Sequence, residues 1–306
     1  MTQHFTDQLA AAVHRLASPV VVGLDPRWEQ LPAGIRAAGD GSLEAMARAY
    51  ETFCSGVVDV VAPMVPAVKV QAAFFEELGP AGMTVMKAVI THAQQRGLLV
   101  IVDGKRSDIG STAEAYARGY LGREESAWHA DALTVSPYLG DDSLTPFVDM
   151  ATERSAGLFV LVKTSNAGSG TIQDLVSNGR PLYRRVAAHV ERLAIQTIGD
   201  GDYGSVGAVV GATYPEQLAE LRAAMPHTWF LVPGYGSQGG TAADVVAAFD
   251  SGGLGAIISN SRGIIFAHSR REYADRFGAG RWQEAVEAAT QAMTAELRVA
   301  VPALGR

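Results

Sequence analysis

The chain has 306 residues, of which 48% are hydrophobic and 19% charged, a composition that excludes a disordered tail, a collagen-like repeat and a disulfide scaffold. Its net charge of −7 argues against a protein that coats nucleic acid or an anionic membrane, although a few local cations can still bind a small anion. The single cysteine, Cys54, forms no disulfide within the chain and is typical of a reducing compartment.

The N-terminal segment lacks the basic start and apolar block of a signal peptide, and Asp7, His14 and Arg15 interrupt it. No uninterrupted apolar run approaches the ~20 residues that a transmembrane helix needs. We therefore expect a cytoplasmic protein with neither a membrane nor nucleic acid as a partner.

Short β-branched apolar runs alternate along the chain with Ala-rich segments of helical spacing, which predicts parallel strands joined by helices. The eight predicted strands are Val20 to Leu24, Ala67 to Val70, Leu98 to Val102, Ala132 to Val135, Leu158 to Val162, Val206 to Val210, Trp229 to Val232 and Ala256 to Ile258. Their spacing centres on the ~30 residues of a βαβ unit. This favours a closed (β/α)8 barrel, a TIM barrel, over an open sheet of about five or six strands.

Two stretches exceed a minimal barrel. Residues Arg27 to Leu43 extend the first βα loop and are predicted to form a lid-like insertion, and a C-terminal helix around Trp282 to Leu297 is predicted to cap the barrel. Neither stretch has the composition of a linker. We therefore predict a single domain over residues 1–306, with barrel strands spanning about 20–260.

Charged residues follow the second and third predicted strands, where the side chains of a barrel converge on one pocket. The third strand ends in Asp103-Gly104-Lys105-Arg106-Ser107-Asp108, and Asp103 and Lys105 point to the same side because they are two residues apart. Lys69 ends the second strand. Taken singly, each is typical of a solvated charge; together, Lys69, Asp103, Lys105 and Asp108 predict an alternating charge array whose members need one another once desolvated.

Other strand ends carry groups suited to a phosphorylated ligand. Glycine-rich loops, Pro233 to Gly240 and Ser259 to Gly263, follow strands seven and eight, where such barrels bind phosphate, and Arg262 can grip phosphate bidentately. The fifth strand ends in hydroxyl and amide groups, Lys163 to Gly170, that either read the polar edge of a ring or form an ordinary turn. Asp25 either accepts hydrogen bonds from a sugar or caps the turn before Pro26.

Metal and nucleotide-transfer chemistry has little support in the sequence. The seven histidines show neither HExxH nor a paired spacing, so we expect no dedicated metal site. Neither a P-loop nor a GxGxxG motif follows a strand in the required register, which disfavours nucleotide-dependent phosphoryl transfer and hydride transfer.

These motifs resemble the orotidine 5'-monophosphate decarboxylase family, specifically its longer bacterial subgroup, over roughly residues 20–267. The resemblance is carried by Gly23 to Pro26, Val68-Lys69, Asp103 to Thr112, Thr164 to Asn166, Pro233 to Gly240 and Ser261 to Gly263. Ser107 stands where the subgroup often has Gly, and Ala167 where Pro is frequent, so local loop shape departs from the pattern there.

The resemblance implies a homodimeric enzyme that converts orotidylate to uridylate in pyrimidine biosynthesis without a cofactor. It implies that Lys69, Asp103, Lys105 and Asp108 form the catalytic network, in which Lys105 stabilises and protonates a carbanion at C6 of the ring. Asp108 and Thr112 are then expected to reach the neighbouring active site. The implied substrate-binding positions are Asp25 and Lys69 at the ribose, Ser165 at the pyrimidine, Gln238 and Arg262 at the phosphate, and also Thr112, Asn166, Pro233 and Gly239.

Two alternatives stay open from the sequence. A Mg-dependent sugar-phosphate aldolase or decarboxylase of the same suprafamily shares the D-x-K-x-x-D element, but it usually places an acidic metal ligand where this chain has Lys69. A non-catalytic nucleotide- or phosphate-binding barrel is the other alternative, and such a protein has no need of the full charge array.

Overall fold

The computed structural model describes residues 3–37, 40–122, 126–236, 239–278 and 280–305. Eight parallel strands close into a barrel, in which the last strand pairs with the first. The strands are β1 (Val20–Leu24), β2 (Ala67–Gln71), β3 (Leu99–Arg106), β4 (Ala132–Val135), β5 (Gly157–Lys163), β6 (Val206–Val210), β7 (Phe230–Val232) and β8 (Ala256–Asn260). The predicted (β/α)8 barrel is confirmed.

Helices form a layer outside the barrel. They are α1 (Phe5–Leu16), α2 (Ala33–Arg36), α3 (Leu43–Val61), α4 (Ala73–Glu76), α5 (Gly79–Gln95), α6 (Gly110–Tyr120), α7 (Thr145–Glu153), α8 (Gly170–Gln173), α9 (Leu182–Gln196), α10 (Pro215–Ala224), α11 (Ala242–Val245), α12 (Arg262–Ile265), α13 (Arg271–Phe277) and α14 (Trp282–Ala300). A short antiparallel hairpin, Val176–Ser177 with Arg180–Pro181, lies between α8 and α9. No helix in the described ranges combines the length and apolar character needed to cross a bilayer.

The strands are apolar because both of their faces are covered. Every residue of β1 and β6 is buried, between the packed barrel interior and the surrounding helices. The predicted bounds differ from the observed ones by at most two residues, except at β3, which continues through the charged residues after Val102 to Arg106. This extension carries the charges of β3 into the C-terminal end of the barrel.

The N-terminal end of the barrel is covered by α1. Phe5 is buried and meets the Phe159 ring edge to face, with ring centroids 6.2 Å apart. The Phe5 ring occupies the space beside Gly157, where an added Cβ would come within 2.2 Å of it. Thr6 donates a hydrogen bond to the Tyr203 carbonyl, 2.9 Å away, which ties α1 to the segment that enters β6.

The two stretches beyond a minimal barrel both pack against α3. Helix α14 lies in the outer layer against α3 and α12, where the Trp282 and Phe53 rings are 5.2 Å apart, so it does not cap the barrel. The first βα loop folds back with Leu31 buried and α2 against α3. Its described residues do not line the cavity at the C-terminal end, and the lid-like role stays a prediction.

Candidate active site

A cavity of about 800 Å³ opens at the C-terminal end of the barrel. Its lining includes residues at or near the C-terminal ends of seven strands, β1 to β3 and β5 to β8. Thr134 of β4 also lines it. The predicted site residues that the structure brings together in this lining are Asp25, Lys69, Asp103, Lys105, Ser165, Asn166, Pro233 and Arg262.

Asp103 bridges two ammonium groups in this cavity. Its Oδ2 lies 2.7 Å from Lys69 Nζ, and its Oδ1 lies 2.6 Å from Lys105 Nζ. The side chains of Lys69 and Asp103 are buried, whereas that of Lys105 is 48% exposed and reaches into the open part of the cavity. The prediction that Asp103 and Lys105 point to the same side is therefore confirmed.

The buried charges hold one another ionised. Burial alone would raise the pKa of Asp103, but the ammonium groups of Lys69 and Lys105 outweigh it and hold that pKa well below its usual range. Burial alone would lower the pKa of Lys69, but the carboxylates of Asp103 and Asp25 outweigh it and hold that pKa above its usual value. At neutral pH the site therefore contains a carboxylate between two cations.

Local backbone geometry sets this arrangement. Gln71 of β2 aligns with Asp103 of β3, so Lys69, two residues earlier on β2, points to the same side as Asp103. Lys105 has φ +46°, in the left-handed region that non-glycine residues rarely adopt. The register between β3 and β4 shifts between Val102 and Arg106, at the same place.

Thr134 fills the gap that this shift leaves, and the sequence interpretation did not include it. Its Oγ1 accepts a hydrogen bond from the Lys105 backbone N–H, at 2.9 Å, and donates one to Asp103 Oδ1, also at 2.9 Å. Thr134 is 1% exposed. The only sequence signal was a hydroxyl among the four residues of a buried strand, Ala-Leu-Thr-Val, which is also ordinary for a strand.

Asp25 lies in the cavity wall beyond β1. Among the residues that the structure describes, its Oδ1 is buried and has no hydrogen-bond partner. Ser261 lies beside it and donates a hydrogen bond to the Gly23 carbonyl, at 3.2 Å. A buried acceptor with this free capacity is suited to a hydroxyl of a bound sugar.

Ser165 and Asn166 belong to the β5 loop, which we define as residues 164–174. Gln173 holds the two arms of this loop together: its Oε1 accepts from the Thr164 N–H at 3.0 Å, and its Nε2 donates to Thr164 Oγ1 at 2.8 Å. Thr164 Oγ1 in turn donates to Asn166 Oδ1, at 2.7 Å. The Thr164 hydroxyl and the Asn166 amide, two of the groups predicted to contact the polar edge of a ring, are thus fixed by hydrogen bonds.

Lys163 anchors the base of the β5 loop and was not predicted as a site residue. It is fully buried, donates to Asp174 Oδ1 at 2.7 Å, and has the rings of Tyr214 and Tyr183 at 4.8 and 5.5 Å from its Nζ. A lysine at a strand end is expected from sequence to extend into solvent, and the covering tyrosines come from distant segments.

The predicted phosphate end is formed by Arg262 at the start of α12 and by the turn after β7. Pro233 and Gly234 line the cavity, and the turn closes with a hydrogen bond from Gly240 N–H to the Gly234 carbonyl, at 3.1 Å. Gly239 is exposed, has φ +92° and lies outside the cavity lining. Gln238 falls outside the described residues.

Asp108 and Thr112 do not line the cavity of their own chain. Asp108 Oδ1 accepts a hydrogen bond from the Ile109 N–H, at 2.8 Å, and Thr112 is exposed on α6. Ile109 and Tyr138, in the segments that follow β3 and β4, expose 57% and 76% of their surface. In the described ranges, no group of three or more His, Cys, Asp or Glu side chains is arranged to hold a metal ion.

Comparison with known proteins decides the family. The family model described as "Orotidine 5'-phosphate decarboxylase / HUMPS family" matches residues 18–277. The chain belongs to this family. This confirms the resemblance that the strand-end motifs carry, and the match includes every residue of the charge network.

The names of individual relatives match "Orotidine 5'-phosphate decarboxylase", the first of the two names in that description. The chain is 55% identical over 298 residues to an orotidine 5'-phosphate decarboxylase of Rhodopirellula baltica, covering 96% of this chain and 99% of that protein. A Streptomyces avermitilis structure provisionally assigned as an orotidine 5'-phosphate decarboxylase has a TM-score of 0.79 at 34% identity and is matched over 98% of this chain and 97% of its own.

A third match is with a longer protein. The structure of Leishmania donovani UMP synthase has a TM-score of 0.73 at 35% identity, and the match covers 94% of this chain. This chain spans 57% of the length of that synthase. The family's barrel thus also occurs as part of a longer polypeptide.

Proposed function

We propose that this chain decarboxylates orotidine 5'-monophosphate to uridine 5'-monophosphate, in pyrimidine biosynthesis and without a cofactor. The observation that carries the proposal is the ionised Asp103 between the ammonium groups of Lys69 and Lys105, at the wall of a cavity large enough for a nucleotide. Family membership and the printed name of the Rhodopirellula baltica relative support the same reaction.

Lys105 is the proposed acid. Loss of CO2 leaves an electron pair on C6 of the ring, and a cation at that carbon is attracted more strongly to this developing charge than to the neutral ring. The Lys105 ammonium reaches the open part of the cavity and keeps a carboxylate partner at its other side. It can therefore donate a proton to C6, forming the C–H bond, and regain a proton from water.

Asp103 is proposed to act on the bound substrate. Its position between two ammonium groups holds it ionised, so a substrate carboxylate placed beside it meets a like charge. This repulsion is relieved as CO2 departs, while the attraction between Asp103 and the two lysines remains.

The other site residues are proposed to bind the nucleotide. We place the ribose at Asp25 and Lys69, the pyrimidine at Ser165 and Asn166, and the phosphate at Arg262 with Gln238, Pro233 and Gly239. The free acceptor of Asp25 supports the first placement, and the second is supported by the fixed Asn166 amide and by the position of Ser165 in the cavity lining. Contacts with the phosphate, at the far end of the nucleotide, position the pyrimidine ring next to Lys105.

We propose that the working protein is a cytoplasmic homodimer in which Asp108 and Thr112 contribute to the neighbouring site. Their positions outside their own cavity, next to the exposed Ile109, support this arrangement. Its test is dilution: specific activity is expected to fall as the dimer dissociates. Full activity in a protein that sedimentation shows to be monomeric would contradict it.

The reaction is tested by incubating the purified protein with orotidylate and measuring CO2 and uridylate, with and without a chelator. We expect equal amounts of both products and no effect of the chelator. Activity lost with the chelator and restored by Mg²⁺ would support the metal-dependent alternative. Tight binding of orotidylate without turnover would support the non-catalytic barrel.

A further inference from the structure

The Thr134 hydroxyl links the backbone amide of Lys105 to Asp103, the carboxylate that binds the Lys105 ammonium group. One side of this hydroxyl accepts from the Lys105 backbone N–H, and the other side donates to Asp103 Oδ1. That same carboxylate oxygen accepts from Lys105 Nζ, at 2.6 Å. The hydroxyl, the carboxylate and Lys105 itself therefore form a closed ring of three hydrogen bonds.

The direction of these hydrogen bonds is fixed by the groups involved. The Lys105 N–H is a donor only, so it uses an acceptor position of the Thr134 hydroxyl. A hydroxyl has one proton, and an ionised carboxylate only accepts, so that proton points to Asp103. A side chain without both functions at this position removes the hydrogen bond to the Lys105 N–H, the one to Asp103 Oδ1, or both.

The backbone of Lys105 needs this support. A non-glycine residue in the left-handed region is strained and persists only where its surroundings enforce it. The β3–β4 ladder, which would otherwise fix the chain here, is interrupted between Val102 and Arg106. The buried Thr134 hydroxyl takes the place of a strand partner for the Lys105 amide.

We propose that Thr134 is a positioning residue, whose hydroxyl holds Lys105 in its left-handed conformation and orients Asp103 so that the ammonium group is aimed at the reacting carbon. The inference rests on the proposed decarboxylation. Thr134 acts through Lys105 and Asp103, and its loss therefore affects the chemical step more than the binding of the nucleotide.

The test is Thr134→Val, which keeps the shape of the side chain and removes both hydrogen bonds. Misplacement of a reacting group by about 1 Å costs about 10²-fold, so we expect kcat for orotidylate to fall by about that factor. KM and the dissociation constant of uridylate are expected to change less than about threefold. Thr134→Ser retains the hydroxyl and is expected to restore most of kcat.

Thr228→Val is the matched control. Thr228 is also fully buried and its hydroxyl also donates to a carboxylate, Glu191 Oε2 at 2.7 Å, but it precedes β7 at the opposite end of the barrel. We expect this variant to lose stability as Thr134→Val does and to keep the kcat of the unsubstituted protein. Circular dichroism and urea unfolding show whether each variant is folded.

The outcomes separate the inference from the proposed function. Absence of orotidylate turnover in the unsubstituted protein overturns the proposed function. With an active protein, a folded Thr134→Val variant of unchanged kcat overturns the inference, as does an equal loss in Thr228→Val or in Thr134→Ser. If Thr134→Val does not fold, Thr134→Ala is measured in its place, and the same kcat criterion applies.

Discussion

The Lys163 ammonium lies 2.7 Å from Asp174 Oδ1, with the lysine fully buried and the carboxylate 44% exposed. Lys163 is the last residue of β5 and Asp174 directly follows α8, so this ion pair joins the two ends of the β5 loop. The loop that carries Ser165 and Asn166 is therefore held at its base by charge and, along its length, by Gln173.

We expect Lys163→Met to weaken binding of orotidylate. The variant fills the same buried space but releases Asp174, so KM should rise by about tenfold while kcat changes less, since the lysine does not line the cavity. Steady-state kinetics with orotidylate measures both. Glu284→Gln, which breaks the exposed ion pair between Arg281 and Glu284 at the start of α14, is the control and should leave KM unchanged.

Stability should respond differently to the two halves of this pair. Lys163→Met removes the buried charge and leaves a carboxylate that is 44% exposed to water, whereas removing Asp174 leaves the buried ammonium uncompensated. Asp174→Ala should therefore lower the free energy of unfolding more than Lys163→Met does. If KM is unchanged in both variants, the loop is not held by this ion pair.

Lys105→Ala is expected to abolish turnover, with kcat lower by at least about 10³-fold, because it removes both the cation at the developing charge and the acid. Uridylate binding, measured by calorimetry, should remain detectable. Lys87→Ala, on the exposed side of α5, is the control. A kcat near that of the unsubstituted protein in Lys105→Ala would remove the proposed role of this lysine.

Arg262→Ala is expected to lower kcat/KM for orotidylate by about 10²-fold, because a bidentate contact with the phosphate is lost. The same substitution should have little effect on any residual activity with orotidine, which has no phosphate. Arg271→Ala, whose side chain is 95% exposed, should behave as the unsubstituted protein. An equal loss with both substrates would contradict a phosphate contact.

The stability contributed by Asp103 should depend on pH. Because its pKa is lowered in the folded protein, this contribution is present above the unfolded pKa of about 4 and is lost as pH falls below it. The pKa of Lys69 is raised, so its contribution is complete below about pH 10 and is lost only at higher pH. Both contributions are therefore constant between about pH 5 and 9.

Urea unfolding of the unsubstituted protein and Asp103→Asn measures this dependence. We expect Asp103→Asn to be less stable by about 3 kcal/mol at pH 7, since it leaves buried Lys69 without its partner, and the difference should shrink below about pH 4. Asp275→Asn, at a carboxylate that is 73% exposed, should show no such difference. A difference that grows on acidification would contradict the assigned charge state.

Much of the barrel could be predicted from the sequence because strands buried on both faces must be continuously apolar. The two-residue spacing predicted that Asp103 and Lys105 point to the same side. It did not predict that β3 continues through them, because charged residues usually mark the end of a strand. Here the cavity accommodates those charges. The places of α1 and α14 could not be predicted, since an apolar helix face does not specify the surface that it will cover.

The residues missed at the site have a common cause. Thr134 and Lys163 act through partners that are remote in sequence, and their types are ordinary for a strand and a strand end. The sequence could not decide whether Asp25 caps the turn before Pro26 or contacts a ligand, because both roles need the same carboxylate. Only the fold shows which partners each of these side chains has.

At the N-terminal end of the barrel, the Phe5 ring occupies the space that a side chain at position 157 would need. Related sequences are therefore expected to vary these two positions jointly, with a smaller residue at position 5 wherever position 157 carries a side chain. In the laboratory, Gly157→Ala alone should be destabilising, and adding Phe5→Leu should recover part of the loss. This pair lies far from Lys105, so the exchange should leave the chemistry intact.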